Sequence, residues 1–248
     1  MALQALVFDV DGTLADTERD GHRPAFNAAF EHAGFPWHWR EDEYRELLTV
    51  AGGKERIRHF LEQHEPAFLT RPDAEATIAA LHADKTRRYV AHAAQGGIAL
   101  RPGVSRLISE ARAAGTRLAI ATTTSPENVT VLLEASLGPA TPSWFEVIGA
   151  GDVVPRKKPA PDVYTWVVDR LGLSPQDCLA IEDSAVGLRA ALAAGLPTVV
   201  TQNPYTSSED TTGALAVFAD LSNVTLTDLT IVHDIVHPGT PLRSGPTY

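Results

Sequence analysis

The sequence predicts an α/β fold, a doubly wound parallel (Rossmann-like) sheet with a helical segment inserted after its first strand. Three observations carry this. From residue 104 onward, short continuous apolar runs alternate with helical stretches, the pattern of strands covered on both faces. Residues 17–94 carry only helical spacing. Acidic, hydroxyl and basic residues recur just after the apolar runs, where open parallel sheets bind their ligands.

The first apolar run, LQALVFDV at residues 3–10, reads as a buried strand running straight into Asp11-Gly12-Thr13-Leu14-Ala15-Asp16. The period then becomes helical. Phe26, Phe30 and Ala33, then Leu47 and Leu48, then Ile57, Phe60 and Leu61, then Ile78, Leu81, Tyr89 and Val90 predict a small bundle. Gly52-Gly53 marks a turn between two of its helices, and Gly96-Gly97 with Pro102-Gly103 marks the return to the sheet. There follow a helix from about Val104, a strand Arg117–Ala121, a helix from about Ser125 and a strand at 145–150. A helix from about Pro161, a strand Cys178–Glu182, a helix from about Val186 and a strand Thr198–Thr201 continue the alternation. A weaker strand at 216–219 closes the sheet, and the Pro- and Gly-rich tail from His237 reads as irregular. The division expected is a catalytic core from residues 1–16 and 95–248 and a helical domain from residues 17–94.

A chain of 248 residues suits one core with one small added domain. Its 44% apolar content supports a real core, and no apolar run approaches the roughly 20 residues that span a bilayer. A strand starting at about Leu3 leaves no room for a signal peptide, so a cytoplasmic location is expected. The sole cysteine, Cys178, excludes an internal disulfide and reads as a small buried hydrophobe. A formal net charge of −10 argues against nucleic-acid binding. It does not exclude a small phosphorylated ligand, because basic residues gather locally as Lys54, Arg56, Arg58 and as Lys85, Arg87, Arg88.

Asp9 and Asp11 end the first strand two residues apart, with Gly12 to turn the chain. Such a pair can share a divalent cation while one carboxylate attacks phosphorus and the other moves a proton. Asp-Gly after a strand is also ordinary turn composition. What raises its meaning is agreement from three later strand ends: Thr122-Thr123-Thr124, then Arg156-Lys157-Lys158-Pro159, then Glu182-Asp183-Ser184. The hydroxyl run before Pro126 and Glu127 is also a capping sequence, which is compatible, since a helix start is itself an anion site. A carboxylate pair ending an apolar strand is desolvated without gain unless it holds a cation. Together these segments point to phosphoryl transfer through an aspartyl phosphate.

The motifs DVDGTLAD, the hydroxyl after LAIA, KKPAPDVY and IEDSAVGLRAALAAG resemble, in order and spacing, the haloacid dehalogenase-like phosphotransferases. The likeness covers nearly the whole chain. The segment inserted after the first motif is similar to the helical C1-type cap domain of the β-phosphoglucomutase-like branch, and within that branch the chain resembles CbbY-type phosphatases. Those act on xylulose 1,5-bisphosphate, an inhibitor of Rubisco. The resemblance implies Asp9 as nucleophile, Asp11 as general acid and then general base, and Thr122 with the backbone N–H of Thr123 as donors to the phosphoryl oxygens. Lys158 would neutralise the same group. It implies Mg²⁺ held by Asp9, Asp183, the main-chain carbonyl of Asp11 and Glu182, directly or through water.

In the cap, Glu18 and His22 would face the leaving group or a sugar hydroxyl, and Lys54, Arg56 and Lys85 would hold a second phosphate. Arg58, Arg87, Arg88 and Lys157 are expected in solvent. The partner implied is a small sugar bisphosphate, with no nucleic acid and no membrane, acted on by a monomer. Two departures stand out: the branch places its cap-proximal His one residue earlier, where this chain has Gly21, and it favours a Ser or small residue where Thr122-Thr123 stand. Both favour a phosphatase over a phosphomutase. A phosphoacceptor receiver module would share the Asp, Thr, Lys and Mg²⁺ set but places its acceptor after a central strand and lacks the insertion. Haloacid dehalogenation would need neither Asp11 as an acid nor Mg²⁺.

Overall fold

The computed structural model describes residues 2–50 and 52–235, so the expectation for the tail from His237 lies outside the described residues. Strands β1 (Ala5–Phe8), β2 (Arg117–Ala121), β3 (Val147–Gly149), β4 (Cys178–Glu182), β5 (Thr198–Thr201) and β6 (Ala216–Phe218) form a sheet in the order β3-β2-β1-β4-β5-β6. Every pairing is parallel, and β1 lies between β2 and β4 with Leu6 level with Leu118 and Leu179. The chain thus fills one side of β1 and then the other. That order opens a crevice at the carboxyl ends of β1 and β4, where the connections part.

The strands are apolar throughout because both faces are covered. Leu6 and Phe8 join Ile120, Ile181 and Val199 in one core layer, and Ala5 and Val7 join Ala119, Ala180, Tyr164 and Val167 in the other. β1 stops earlier than its apolar run because the Thr13 and Leu14 N–H groups both donate to the Val10 carbonyl, turning the chain. β3 is likewise shorter than the apolar run at 145–150. It is an edge strand, paired on one side only, and it follows directly on a short 3₁₀ turn at Thr141–Trp144.

Four helices make up most of the insert: α1 (Arg23–His32), α2 (Glu41–Leu47), α3 (Gly53–His64) and α4 (Ala74–Ala94). Gly52, with φ of 97°, supplies the left-handed turn before α3. The insert has its own aromatic core of Phe26, Phe30, Trp37, Trp39, Tyr44, Phe60 and Phe68. Trp39, fully buried, lies 4.7 Å from the Phe26 ring and 4.8 Å from that of Phe30. Both tryptophans sit in the connection between α1 and α2, which has no helical period to reveal them. Ala33, expected inside, is exposed; the buried stripe of α1 is Ala25, Phe26, Ala29 and Phe30.

Helices α5 (Val104–Ala113), α6 (Pro126–Leu137), α7 (Asp162–Leu171) and α8 (Ala185–Ala193) cover the sheet, and α9 (Leu226–Ile235), not anticipated from the sequence, packs on α5. Ser125 and Ser184 cap α6 and α8 through their hydroxyls. Among the described residues no helix is long and apolar enough to cross a membrane.

Two crossings join insert and sheet. They are tied to each other by bridges from Ala15 to Asp11 and to Leu100. Arg101 on the return crossing is buried, and its guanidinium donates to the carbonyls of Gly12 (2.5 Å), Thr201 (3.0 Å), Gln202 (2.5 Å) and Ala219 (3.0 Å) while pairing with Asp16 at 3.3 Å.

Candidate active site

The crevice at the switch point brings all four strand-end motifs together. Asp9 continues β1, its N–H donating to the Ile181 carbonyl at 3.0 Å. Gly12 follows with φ of 85°, and a Cβ there would collide with the carboxylate of Asp183 and with Asn203. The glycine is therefore needed for both the turn and the approach of the β4 carboxylates. Glu182 and Asp183 end β4, and Gly187 in the first turn of α8 leaves the space that the Glu182 carboxylate fills.

Lys158 reaches this point from the loop after β3. Its ammonium donates to Asp9 Oδ1 at 2.7 Å and to Glu182 Oε1 at 2.6 Å, and Tyr164 of α7 donates its hydroxyl to the same Oε1 at 2.5 Å. Asn203 donates to Asp183 Oδ2 at 2.6 Å. Asp9, Lys158, Glu182 and Asp183 are all buried. Burial is the main cause that pushes the Asp9 carboxyl up to about 8, with Lys158 opposing and Glu182 and Asp11 adding. Burial likewise raises Asp183 well above the carboxylate range, helped by Asp9 and Glu182. Lys158 is raised despite burial, because Asp9 and Glu182 hold its charge.

Three carboxylates, Asp9, Glu182 and Asp183, present oxygens within 4.8 Å of one another, and one ammonium, Lys158, faces two of them. Ionised, as metal ligands must be, the three would carry three negative charges against one positive and leave two unbalanced, and without a cation burial instead favours the protonated forms of Asp9 and Asp183. A hard divalent cation supplies that charge and takes all-oxygen ligands, so the donor set fits it. With Oε1 shared by Lys158 and Tyr164, Glu182 can offer such an ion Oε2, which accepts from the Asp183 N–H at 3.3 Å.

Asp11 points away from this triad, toward the insert. Its Oδ1 accepts from the Thr17 hydroxyl at 2.7 Å and lies 2.8 Å from His22 Nε2. Lys85 Nζ lies 2.7 Å from His22 Nδ1. An ammonium can only donate, so Nδ1 accepts and Nε2–H donates to Asp11. Burial alone would raise Asp11, but His22, the Thr17 hydroxyl and Lys85 together hold it down at about 2. Burial lowers Lys85 to about 8.

The displaced histidine is thereby explained. Residues Glu18–His22 form a single wide π-helical turn that absorbs the extra residue, so His22 still reaches Asp11. Gly21 is required within it, because a Cβ there would press on Ile98 and Tyr89. The inference that the displacement disfavours a phosphomutase does not survive this geometry.

Thr122 is buried at the end of β2, its Oγ1 accepting from the Thr124 N–H at 3.2 Å, and Thr123 lines the crevice. The crevice has two arms. One holds Asp9, Asp183, Arg19, Leu48 and Tyr205; the other holds His22, Lys54, His82, Lys85, Asp152 and Lys157; Asp11, Glu18, Arg56 and Thr123 line both.

Several expectations for the insert are revised. Arg56 is buried and donates to the Tyr44 hydroxyl at 2.7 Å, beside Glu18 at 3.6 Å. Glu18 accepts from that hydroxyl at 2.5 Å and does not face the centre of the crevice alone. Lys85 is committed to His22 and lies over the Phe26 and Tyr89 rings. Lys157, expected in solvent, is mostly covered and pairs with Asp152. Lys54 is half-exposed at the rim. Thr17, Tyr164 and Asn203 were not anticipated. Tyr164 shares the KKPAPDVY motif with Lys158 and was in view there, whereas Asn203 lies in a segment that reads only as a turn.

Comparison with known proteins points to one family. A family model described as haloacid dehalogenase-like hydrolase matches residues 3–195. Protein CbbY (plasmid) of Cupriavidus necator is 52% identical over 221 residues, 89% of this chain and 87% of that protein. Hexitol phosphatase A of Escherichia coli is 31% identical, over 82% of this chain and 85% of that one. CbbY of Rhodobacter sphaeroides was solved as a variant in complex with xylulose-(1,5)bisphosphate. It superposes with a TM-score of 0.84 at 46% identity, over 92% of this chain and 99% of that one.

Proposed function

The chain belongs to the haloacid dehalogenase-like hydrolases and is a phosphatase enzyme, and from that premise we propose that it is a Mg²⁺-dependent sugar-phosphate phosphatase acting through an aspartyl phosphate on Asp9, with xylulose 1,5-bisphosphate as substrate. The observation that carries the reading is the buried cluster of Asp9, Glu182 and Asp183 around Lys158, with Asp11 beside it. The substrate is supported by the bisphosphate held by the relative at 46% identity.

Asp9 attacks phosphorus in line, its Oδ–P bond forming as the ester P–O bond breaks. Asp11 gives a proton to the departing sugar oxygen. A phosphate dianion brought beside Asp11 favours its protonated form, opposing the groups that hold it low without substrate. Water then attacks the acyl phosphate, Asp11 takes the proton, and phosphate leaves as Asp9 is restored. Lys158, Thr122 and the N–H of Thr123 hold the phosphoryl oxygens. Mg²⁺, when held by Asp9, Asp183, Glu182 and the Asp11 carbonyl, supplies the positive charge that lets a carboxylate approach a phosphate dianion. The helices between the two crossings serve as a cap, residues 17–94 over a core of 1–16 and 95–248.

Chelation is expected to stop phosphate release and Mg²⁺ to restore it. Full activity in excess chelator would remove the metal from the reading. The same site sets a pH dependence. A carboxyl raised from 3.8 to about 8, as Asp9 is, binds more protons folded than unfolded between those values, so its contribution makes the metal-free protein less stable as pH rises across that window. Mg²⁺ neutralises the cluster, so the rise in melting temperature on adding it should be larger at about pH 8 than at about pH 5. An equal or reversed difference would contradict the coupling.

The phosphomutase reading keeps one specific support, the contact of His22 with Asp11. Steady-state kinetics separate the two. For xylulose 1,5-bisphosphate, kcat/KM should exceed that for pentose monophosphates and glucose 1-phosphate by roughly ten- to a hundredfold, the worth of about 1.5–3 kcal/mol in charge-assisted hydrogen bonds to a second phosphate. Isomerisation of β-glucose 1-phosphate to the 6-phosphate as the preferred reaction would overturn the phosphatase.

A further inference from the structure

Asp183 is held by a residue outside the four strand-end motifs, and that residue is in turn tied to the insert. Asn203, in the loop after β5, is buried, and both ends of its amide are engaged. Nδ2 donates to Asp183 Oδ2 at 2.6 Å and to the Gly12 carbonyl at 3.4 Å, while Oδ1 accepts from the Tyr205 N–H at 2.8 Å. The Tyr205 bond decides which way the amide lies, because only the oxygen can accept there. A backbone turn closes around it. The N–H groups of Thr206 and Ser207 donate to the Asn203 carbonyl, and the Thr206 hydroxyl accepts from the Asn203 N–H at 3.2 Å.

Two residues further on, the same loop reaches the insert. Tyr205 is buried, and among the described residues it is the one member of the insert's aromatic cluster that comes from outside residues 17–94. Its ring meets that of Tyr44 edge to face, with centroids 6.3 Å apart and planes at 78°, and lies 6.0 Å from the Arg45 guanidinium. Tyr44, in α2, is fully buried and joined to Glu18 and Arg56. One short segment thus holds a carboxylate of the cation site with one side chain and the core of the insert with another.

We propose that Asn203 and Tyr205 are positioning residues for the cation, Asn203 restraining the Asp183 carboxylate and Tyr205 making that restraint depend on how the insert is seated. The inference rests on the cation site of the phosphatase reading, though not on its substrate. A carboxylate that ligates a metal needs an outer hydrogen bond to keep its orientation, and losing that bond weakens binding even when every ligand remains. Asn203 gives Asp183 such a bond, and the Tyr205 N–H fixes Asn203 from the far side. Tyr205 cannot follow the insert without pulling on that N–H. Packing of its ring on Tyr44 favours the seated arrangement. The coupling is reciprocal: whatever seats the insert tightens the cation site, and filling the site helps to seat the insert.

The test is titration of the metal-free protein with Mg²⁺, without substrate, read by calorimetry and by melting temperature. Asn203→Ala is expected to weaken Mg²⁺ binding by about ten- to a hundredfold. Tyr205→Leu, which keeps the backbone N–H and loses the ring contact, is expected to weaken it by about three- to tenfold, and Tyr205→Phe, which keeps the ring, to leave it within about twofold. Tyr44→Leu disturbs the same contact from the insert. Tyr44 does not line the crevice, so a purely local role of the loop predicts no effect there. The coupling predicts the same loss as in Tyr205→Leu, and little further loss when the two changes are combined. Affinity within about twofold of the parent in Asn203→Ala overturns the hold on Asp183, and the same result in Tyr44→Leu, or losses that simply multiply in the double variant, overturns the coupling. If Tyr44→Leu does not fold, equal affinities in Tyr205→Leu and Tyr205→Phe overturn it instead. Absence of Mg²⁺ binding by the parent fells the cation reading and the inference with it, whereas parental binding that the variants leave unchanged fells the inference alone.

Discussion

Asp9→Asn is expected to lower kcat by a factor on the order of 10⁴ or more, the scale seen when covalent hydrolases lose their nucleophile. The amide cannot form the acyl phosphate and offers the cation a weaker oxygen. The background reaction gives no cover, because uncatalysed monoester hydrolysis is among the slowest reactions enzymes accelerate, by up to about 10²¹. The fold should not suffer. Asparagine keeps an oxygen for the Lys158 ammonium now 2.7 Å from Asp9 Oδ1, and it removes a carboxyl whose pKa burial pushes up to about 8. The melting temperature of the metal-free variant should therefore match or exceed that of the parent at neutral pH. Phosphate release within tenfold of the parent would end the assignment of Asp9.

The second large effect is expected from Asp11→Asn, which should slow turnover by about 10²–10⁴, the usual contribution of a positioned acid and base. The amide oxygen can still accept from Thr17 and His22, which now hold Asp11 Oδ1 at 2.7 and 2.8 Å, so the crossing into the insert keeps its shape. What is lost is the proton. Both half-reactions slow, and a substrate with a good leaving group, which needs no acid, should leave the enzyme phosphorylated on Asp9. Acid quench and peptide mass analysis would detect it. Unimpaired hydrolysis by this variant would place the acid elsewhere. Glu18 would be the alternative, although its carboxylate already accepts from Tyr44.

The parts of the site that were legible in the sequence are those local to one strand end. Asp9 with Asp11, Thr122 with Thr123, Lys158, and Glu182 with Asp183 each follow a short apolar run, and the topology of a doubly wound sheet brings such ends together whatever the chain does between them. Less could be read in the insert. A charged residue on a helix reads alike whether it faces solvent, ligand or a buried partner, and only the packing of Tyr44 against Arg56 and of His22 against Lys85 decides which. The wide turn at Glu18–His22 was hidden for a related reason. Counting residues assumes a regular helix, and one π turn cancels an offset of one. Trp37 and Trp39 escaped because they lie where no period exists.

Arg101 gives the joint between insert and sheet a mechanical character. Its guanidinium gathers the Gly12 carbonyl, the ends of β5 and β6 and the Asp16 carboxylate around one side chain, itself planted on the return crossing. Such a joint has the form of an axle and not of a tether. Rotation of the insert has to turn about this fixed point, and the peptide next to Asp11 is bolted to the same point. A rotation of the helices about this point would change what lies in front of Asp9 and Asp11 while leaving the Asp9–Asp11 backbone in register with β4. A hinge of this kind would let a ligand enter and leave without rebuilding the Asp9–Asp11 turn each time.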